Sequence, residues 1–451
     1  MSKDRKIILT LAVPAVLQTV VRSLFIIVDA YWVGKMGSAQ LAALTVATFL
    51  VWGILALGET IAVGTNSLVA QTIGAKDFGM SKKISLYNVV NTFIYSQALG
   101  FVLIPVLPLF YFIINLAPGQ SLLVSEYLIT LLLGLPCIIL LSTITAVFRG
   151  YGDTKTPFYL LVFAIALNFV LAPMFIFGFK FIPALGIKGA ALSTLVSYFA
   201  GFIIGYIILR RREMIDFLSK YKPDIKIIKE TLKIGLPIAL NGVGFSLIYV
   251  FVSRFVSDYG TTGFAALGIG HRSESLAYQM SVGFSLSTAI LVGHNIGAGK
   301  PDRAETLAWK SLGLCSLVML VYSVLLFIFS REIAQIFTTD SSVIEAASNY
   351  NKIAAFVLVF SAAEVVLSGA FSGAGDTLPT FLFGFPLNFL RIPLSPLFAM
   401  WFGLTGIWFA ICLTVIIKGV AIAFWFRRGK WKTKKSILIK TPITSDIYGD
   451  I

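Results

Sequence analysis

The chain alternates long apolar blocks with short stretches of Gly, Pro or clustered charge, and block length carries the first information. A helix crossing the roughly 30 Å hydrocarbon core needs about 20 apolar residues. Twelve blocks meet that length, near 7–33, 42–74, 84–114, 122–148, 157–177, 186–210, 231–257, 264–297, 306–329, 343–371, 379–402 and 404–426. The pattern predicts an all-α membrane protein of twelve spans, since strands of such length have no way to satisfy their backbone in lipid outside a closed barrel.

Composition agrees: 57% of the 451 residues are hydrophobic and only 13% are charged. Little chain is left for a large extramembrane catalytic domain. The formal charge of +15 would suggest nucleic acid in a soluble protein, but here the basic residues sit between the blocks. They collect at the N-terminus (Lys3, Arg5, Lys6) and after even-numbered blocks (Lys76, Lys82, Lys83; Arg149, Lys155; Arg210 to Arg212; Lys300, Arg303, Lys310; Arg427 to Lys440). The other side holds Lys35, Lys180, Lys188 and Arg331. By the positive-inside rule both termini are expected in the cytoplasm. The first block is longer than a signal-peptide core and is expected to be retained. Cys137, Cys315 and Cys412 all lie in apolar blocks and imply no disulfide framework.

The chain repeats itself. Pro14 recurs as Pro237, Ala42-Ala43-Leu44 as Ala265-Ala266-Leu267, Ile73-Gly74-Ala75 as Ile296-Gly297-Ala298, Tyr127 as Tyr350, and Gly150, Gly152, Asp153, Thr154 as Gly373, Gly375, Asp376, Thr377, always at one constant offset. One register across four blocks predicts two six-helix lobes, 1–210 and 231–430, of equal orientation. Residues 211–230 read as a cytoplasmic interfacial linker, with Met214, Phe217, Leu218 and Tyr221 at helical spacing before Pro223, and 431–451 as a basic cytoplasmic tail. Pro14, Pro136, Pro237 and Pro386 lie within blocks and are expected to bend their helices or to serve packing.

Four acids lie inside spans: Asp29, Glu59, Glu274 and Glu364. A carboxylate in hydrocarbon is costly and persists where it meets water, a partner or an ion. Asp29 shares a face with Gln18, Arg22 and Phe25; Glu274 shares one with His271, Tyr278, Ser281 and Ser285; Glu59 follows Gly58 two turns from Asn66. Each reads as a cation-coupling candidate or as half of a structural ion pair. Arg391, on a face with Asn388 and Ser395 between Pro386 and Pro393, either neutralises a cavity acid, repels cations from an empty site or pairs with Glu364. Arg254 and Lys418 are expected to snorkel or pair near helix ends. Aromatic residues make up 14% of the chain; Tyr31 and Trp52 are candidates to hold a lipophilic cation on a ring face, and Asn388 and Arg391 are the polar candidates for a substrate site.

Several of these segments resemble the MATE family, the multidrug and toxic compound extrusion transporters. Ile27-Val28-Asp29-Ala30-Tyr31-Trp32-Val33-Gly34 is similar to the family's first-helix aspartate motif. Phe148 to Pro157 (FRGYGDTKTP) is similar to its loop between helices four and five, and His271 to Leu276 with Gly293 to Pro301 to helix eight of the prokaryotic DinF-like branch. The resemblance covers nearly the whole chain. It implies a V-shaped, twelve-helix antiporter in a prokaryotic cell membrane, acting as a monomer. The exporter would be driven by H+ or Na+ and take small cationic or amphipathic substrates. It also implies a coupling site at Asp29 with Asn168, where a Na+ ion would sit, and adds Thr194 of the sixth helix to the substrate-binding candidates. Ala172 stands where many members have a second aspartate, and Phe245 and Ser361 where other branches have acids. One N-lobe ligand is thus missing, and Glu364 is the candidate to replace the acid at 361.

Other chemistry finds no footing. Gly150 to Thr156 lacks the G-x-x-x-x-G-K-[ST] spacing of a phosphate loop and reads as a tight turn. With His271 and His294 as the sole histidines and no zinc or nucleophile motif, no enzyme and no cofactor are expected. A flippase for lipid-linked precursors or polysaccharides is the closer rival; it would favour a chamber rich in Arg and Lys. A channel would need no alternating access.

Overall fold

The computed structural model describes residues 3–113, 116, 118–216, 224–434 and 438, with the side chains of 49, 113 and 250 left aside. Phe217, Leu218, Tyr221 and Pro223 of the expected linker helix, and all of the tail beyond 434 except Leu438, lie outside the described residues.

The described chain is helical throughout its apolar blocks. In order the spans are α1 (Lys3–Gly34), α2 (Ser38–Gly74), α3 (Phe78–Phe112), α4 (Pro118–Leu133 with Leu135–Gly150), α5 (Lys155–Phe177), α6 (Ile187–Arg211), α7 (Ile225–Ser257), α8 (Gly260–Gly297), α9 (Pro301–Ile328), α10 (Ser341–Ala355 with Leu358–Ala374), α11 (Leu378–Phe402) and α12 (Leu404–Arg427). Ten are single helices long and apolar enough to cross a membrane, and the two bent pairs raise the number to twelve. Each predicted block lies on one of them, extended at its ends by polar residues that block reading excludes. Asp77 caps α3 by accepting from the Met80 amide, and Asp340 caps α10 by accepting from Ser342 and Val343.

Three spans, α2, α4 and α10, carry interruptions that are not written in apolar length; α3 also passes through a 3-10 segment at Ile104–Val106 and α11 restarts at Leu390. The halves of α4 meet at 50° across Gly134, just ahead of Pro136, whose missing N–H makes it tolerable at a helix start. Those of α10 meet at 56°, where the amides of Phe356 and Val357 tighten onto carbonyls three residues back. Within α2 the helix restarts at Glu59, whose φ of −68° and ψ of −6° depart from ideal helical geometry. There Gly58 makes room: a Cβ would stand 2.4 Å from Ile139 of α4.

The repeat in sequence becomes an exchange in space. α1 packs on α8, and α7, the counterpart of α1, packs on α2, the counterpart of α8. At the ends that bear the basic loops the two strings of contacts mirror each other. Gln71 Nε2 donates to the Gly373 carbonyl at 2.8 Å, and His294 Nε2 donates to the Gly150 carbonyl at 2.8 Å. Gln71 and His294 are twins under the repeat, and so are Gly150 and Gly373. Backbones meet here: a Cβ on Gly74 would lie 2.1 Å from the His294 oxygen, and one on Gly297 would lie 1.9 Å from the Gln71 oxygen. Ser67 adds a bond to the Ser372 carbonyl at 2.6 Å. The turn between α4 and α5 is as tight as expected, with Gly152 at φ +89° and its twin Gly375 at φ +77°.

Candidate cation-coupling site

Asp29 sits near the C-terminal end of α1 and is only 6% exposed. Its carboxylate faces α5 and α6. Thr194 Oγ1 lies 3.2 and 3.4 Å from its two oxygens, and Asn168 Nδ2 donates to Thr194 at 3.1 Å and to Ser193 at 3.3 Å. Tyr127 of α4 also interacts with the carboxyl. No Lys or Arg stands within ion-pair distance of Asp29 among the described residues. Asn168 Oδ1 is buried and has no hydrogen-bond partner. The structure thus brings the coupling candidates Asp29 and Asn168 together with Thr194, expected as a substrate-binding residue, while Ala172 is buried and supplies no ligand. Tyr127 was missed, although the repeat marks it: its twin Tyr350 donates to Glu274 at 2.9 Å, so the same tyrosine position approaches an acid in each half.

The other three acids are engaged. Glu59, at the restart of α2, receives Arg22 Nη2 at 2.6 Å and Ser142 Oγ at 2.9 Å. Arg22 therefore does not serve Asp29, its neighbour on the α1 stripe, but reaches across to α2. Glu364 pairs with Lys418 of α12 at 2.8 Å, so its partner is not Arg391. Lys418 is buried well inside its helix, not snorkelling at an end. Glu274 keeps only the Tyr350 bond; His271, expected as its relay, turns its ring edge to Tyr249 at 4.4 Å and leaves Nε2 buried without a partner.

Among the substrate candidates, Tyr31 is half exposed and already holds an ammonium group: Lys35 Nζ lies 4.5 Å from its ring centroid. Trp52 is 45% exposed on α2. Asn388 and Arg391 are buried on α11, where Arg391 donates to Thr414 at 2.8 Å and to Tyr249 at 3.1 Å.

Compared with known proteins, the chain matches the family model MatE twice, over residues 14–174 and again over 237–397. The chain belongs to the MatE family. The start of the second match, 237, is the repeat twin of the start of the first, 14. This MatE protein is 27% identical over 444 residues to a protein of Thermotoga maritima named probable multidrug resistance protein NorM, covering 97% of this chain and 95% of that one. It is 24% identical over 409 residues to the multidrug export protein MepA of Staphylococcus aureus, with 89% of each covered. Its fold superposes on a MOP superfamily transporter from Pyrococcus furiosus with a TM-score of 0.88 at 22% identity, covering 96% of this chain and 98% of the other. The Vibrio cholerae MATE transporter VcmN in its bent form gives 0.87 at 20%, covering 95% and 97%. The protein is a multi-pass membrane transporter of a multidrug efflux family and not an enzyme.

Proposed function

We propose that this protein is an antiporter that exports organic cations or amphipathic drugs from the cytoplasm in exchange for H+ or Na+, by alternating access of two six-helix lobes, 1–210 and 231–430, within a single chain whose termini are cytoplasmic. The single observation that carries the reading is a buried carboxylate at Asp29 faced by hydroxyl and amide groups and by no fixed cation among the described residues. Such a group has an uncompensated charge in a poorly solvated place, so a proton or a cation is what completes it. When ionised, Asp29 accepts from Thr194. When protonated, it has a hydroxyl to donate, and Asn168 Oδ1 is an acceptor without another donor. A Na+ ion would instead take oxygens from Asp29, Asn168 and Thr194, three of the several it prefers. Incoming ion and outgoing cation compete for one charge, which is the physical content of exchange.

Glu59 and Glu364 already have fixed cations and serve as structural pairs in this reading. Glu274, with one tyrosine bond, is the second acid open to titration. The names of the relatives, which speak of multidrug resistance and export, support the substrate class. The flippase alternative draws on Arg149 and Arg391, two buried guanidinium groups without a carboxylate at ion-pair distance among the described residues.

The test is efflux of an aromatic cation from proteoliposomes under separately imposed inward proton and sodium gradients. Asp29→Asn is expected to abolish gradient-driven efflux, roughly a hundredfold loss if about 3 kcal/mol of ion interaction is removed, whereas Glu364→Gln leaves gradient dependence in place. Gradient-driven flux unchanged in Asp29→Asn would remove the residue from the mechanism. Silence under both gradients with translocation of a phosphate-linked lipid would favour the flippase.

A further inference from the structure

The repeat allows each functional position in the first half to be compared with its twin. The displacement that takes Pro14 to Pro237 carries Asp29 to Val252, Asn168 to Arg391, and Ala172-Pro173 to Ser395-Pro396. Beyond the loop that follows, the register changes by a few residues, and structure fixes it. Gly189 lets α6 approach the Phe175 carbonyl, and Gly406 lets α12 approach the Phe398 carbonyl, which is Phe175's twin. With Gly189 matched to Gly406, Thr194 falls on Ile411. The pair Asp29 and Thr194 is therefore replaced by Val252 and Ile411, both fully buried in one apolar cluster. The asparagine beside the acid is replaced by an arginine.

The second half thus carries the first half's site with its charge reversed. Arg391 is 1% exposed, and among the described residues its hydrogen bonds go to two neutral hydroxyls, Thr414 and Tyr249. Tyr249 and Phe245 also offer ring faces 5.4 and 5.8 Å from the guanidinium carbon. The one acid on neighbouring α8, Glu274, lies beyond ion-pair distance and is held by Tyr350; Glu364 is taken by Lys418. On the same face of α11, Asn388 Oδ1 and Ser395 Oγ are buried with no partner. A guanidinium in hydrocarbon persists where a counter-charge or water meets it, and its planar fork fits a carboxylate with two parallel bonds.

We infer that Arg391, with Ser395 as a further donor, forms an anion-accepting subsite in the second half that binds the carboxylate of an amphipathic substrate. The inference rests on the export reading and deepens it by naming a substrate class, compounds bearing a carboxylate as well as a cationic amine. The export reading is tested at Asp29, which has no part in the Arg391 subsite, so the two can fail separately.

The test uses the whole protein in lipid nanodiscs and two probes of one aromatic skeleton, a tertiary amine and the same amine bearing a carboxylate. Wild type is expected to bind the carboxylate-bearing probe about tenfold more tightly, the scale of one charge-assisted hydrogen-bonded pair. Arg391→Gln is expected to erase that preference, so that the two probes bind equally, with a melting temperature that shows the variant is folded. In the wild type, benzoate is expected to compete with the carboxylate-bearing probe and not with the amine. Asp29→Asn is expected to keep the preference and lose gradient-driven efflux. Equal binding of both probes by the wild type, a preference that survives in Arg391→Gln, or competition by inorganic phosphate but not by benzoate each overturns the assignment. If Arg391→Gln does not fold, the benzoate competition decides alone.

Discussion

At the level of single residues, the difference between Asp29 and the other intramembrane acids is one of company. Glu59 and Glu364 each meet a cation within 2.8 Å, whereas Asp29 meets Thr194 and its neighbours. Helical spacing placed Arg22 and Asp29 on one stripe of α1 but says nothing about which helix faces that stripe. The Arg22 to Glu59 pair was therefore not legible. The two loop aspartates offer a contrast that can be measured outside the membrane. Burial works against the charge of Asp153, but hydrogen bonds from the Thr156 side chain and amide, with Arg212 at 2.7 Å, outweigh it and hold its carboxyl below the usual range. Its twin Asp376 is pushed up by burial, with Lys434 at 4.0 Å only partly offsetting. A lowered folded-state pKa adds stability above the unfolded value and loses it as pH falls through the folded one. Wild type is thus expected to melt higher than Asp153→Asn at pH 7, with the gap closing below about pH 4. A gap that persisted down to about pH 2, below the ordinary carboxylate range, would contradict this account of Asp153.

Among the elements, glycine decides how closely the halves approach. Where α2 and α8 cross, Gly74 and Gly297 each face a backbone oxygen of the other helix nearer than any Cβ tolerates. A backbone oxygen has no rotamer to yield, so an added methyl must move a helix. Gly297→Ala is expected to lower stability by about 1–3 kcal/mol, the range for overpacking. Gly313→Ala, in α9 with nothing within 4 Å, is expected to be harmless or slightly stabilising. Thermal unfolding in detergent reads both, and an equal cost for the two would sink the close-approach argument. The same scale shows what block reading missed. The bend in α10 and the restart in α2 have no proline to announce them, whereas Pro136 stands beside the α4 bend. Pro14 and Pro237, expected to bend their helices or to serve packing, interrupt neither α1 nor α7.

For the molecule as a whole, the seam between the halves is held at the end bearing the basic loops. Gln71 reaches Gly373 and His294 reaches Gly150 by the same bond in opposite directions. In the proposed alternating-access cycle this end parts, so both bonds break together with the glycine crossing beneath them. Removing them with Gln71→Ala and His294→Ala is expected to shift the population toward opening at this end. Spin labels at Phe78 and Asp302, near the starts of α3 and α9 on that face, should report longer and broader distances in the double variant. An unchanged distribution would mean that backbone packing and the remaining bonds, such as Ser67 to Ser372, hold the seam without them.

What depends on composition along the chain could be read from the letters. Apolar length set the number of spans, the sorting of basic residues set an expected orientation, and the constant offset that pairs Pro14 with Pro237 and Gly150 with Gly373 set the twofold plan. Asp29, Asn168 and Thr194 stood out as well, because an acid is rare in a span and a shared motif carries positions with it. Pairing, in contrast, came from packing in three dimensions. Whether an acid is free or neutralised depends on which side chain of another helix lies within hydrogen-bond reach, and the spacing within one helix does not contain that distance. The positive charge of Arg391 at the place of neutral Asn168 was present in the letters from the start. It became meaningful only once packing showed Val252 and Ile411 filling the places of Asp29 and Thr194, since charge acquires a role from what surrounds it.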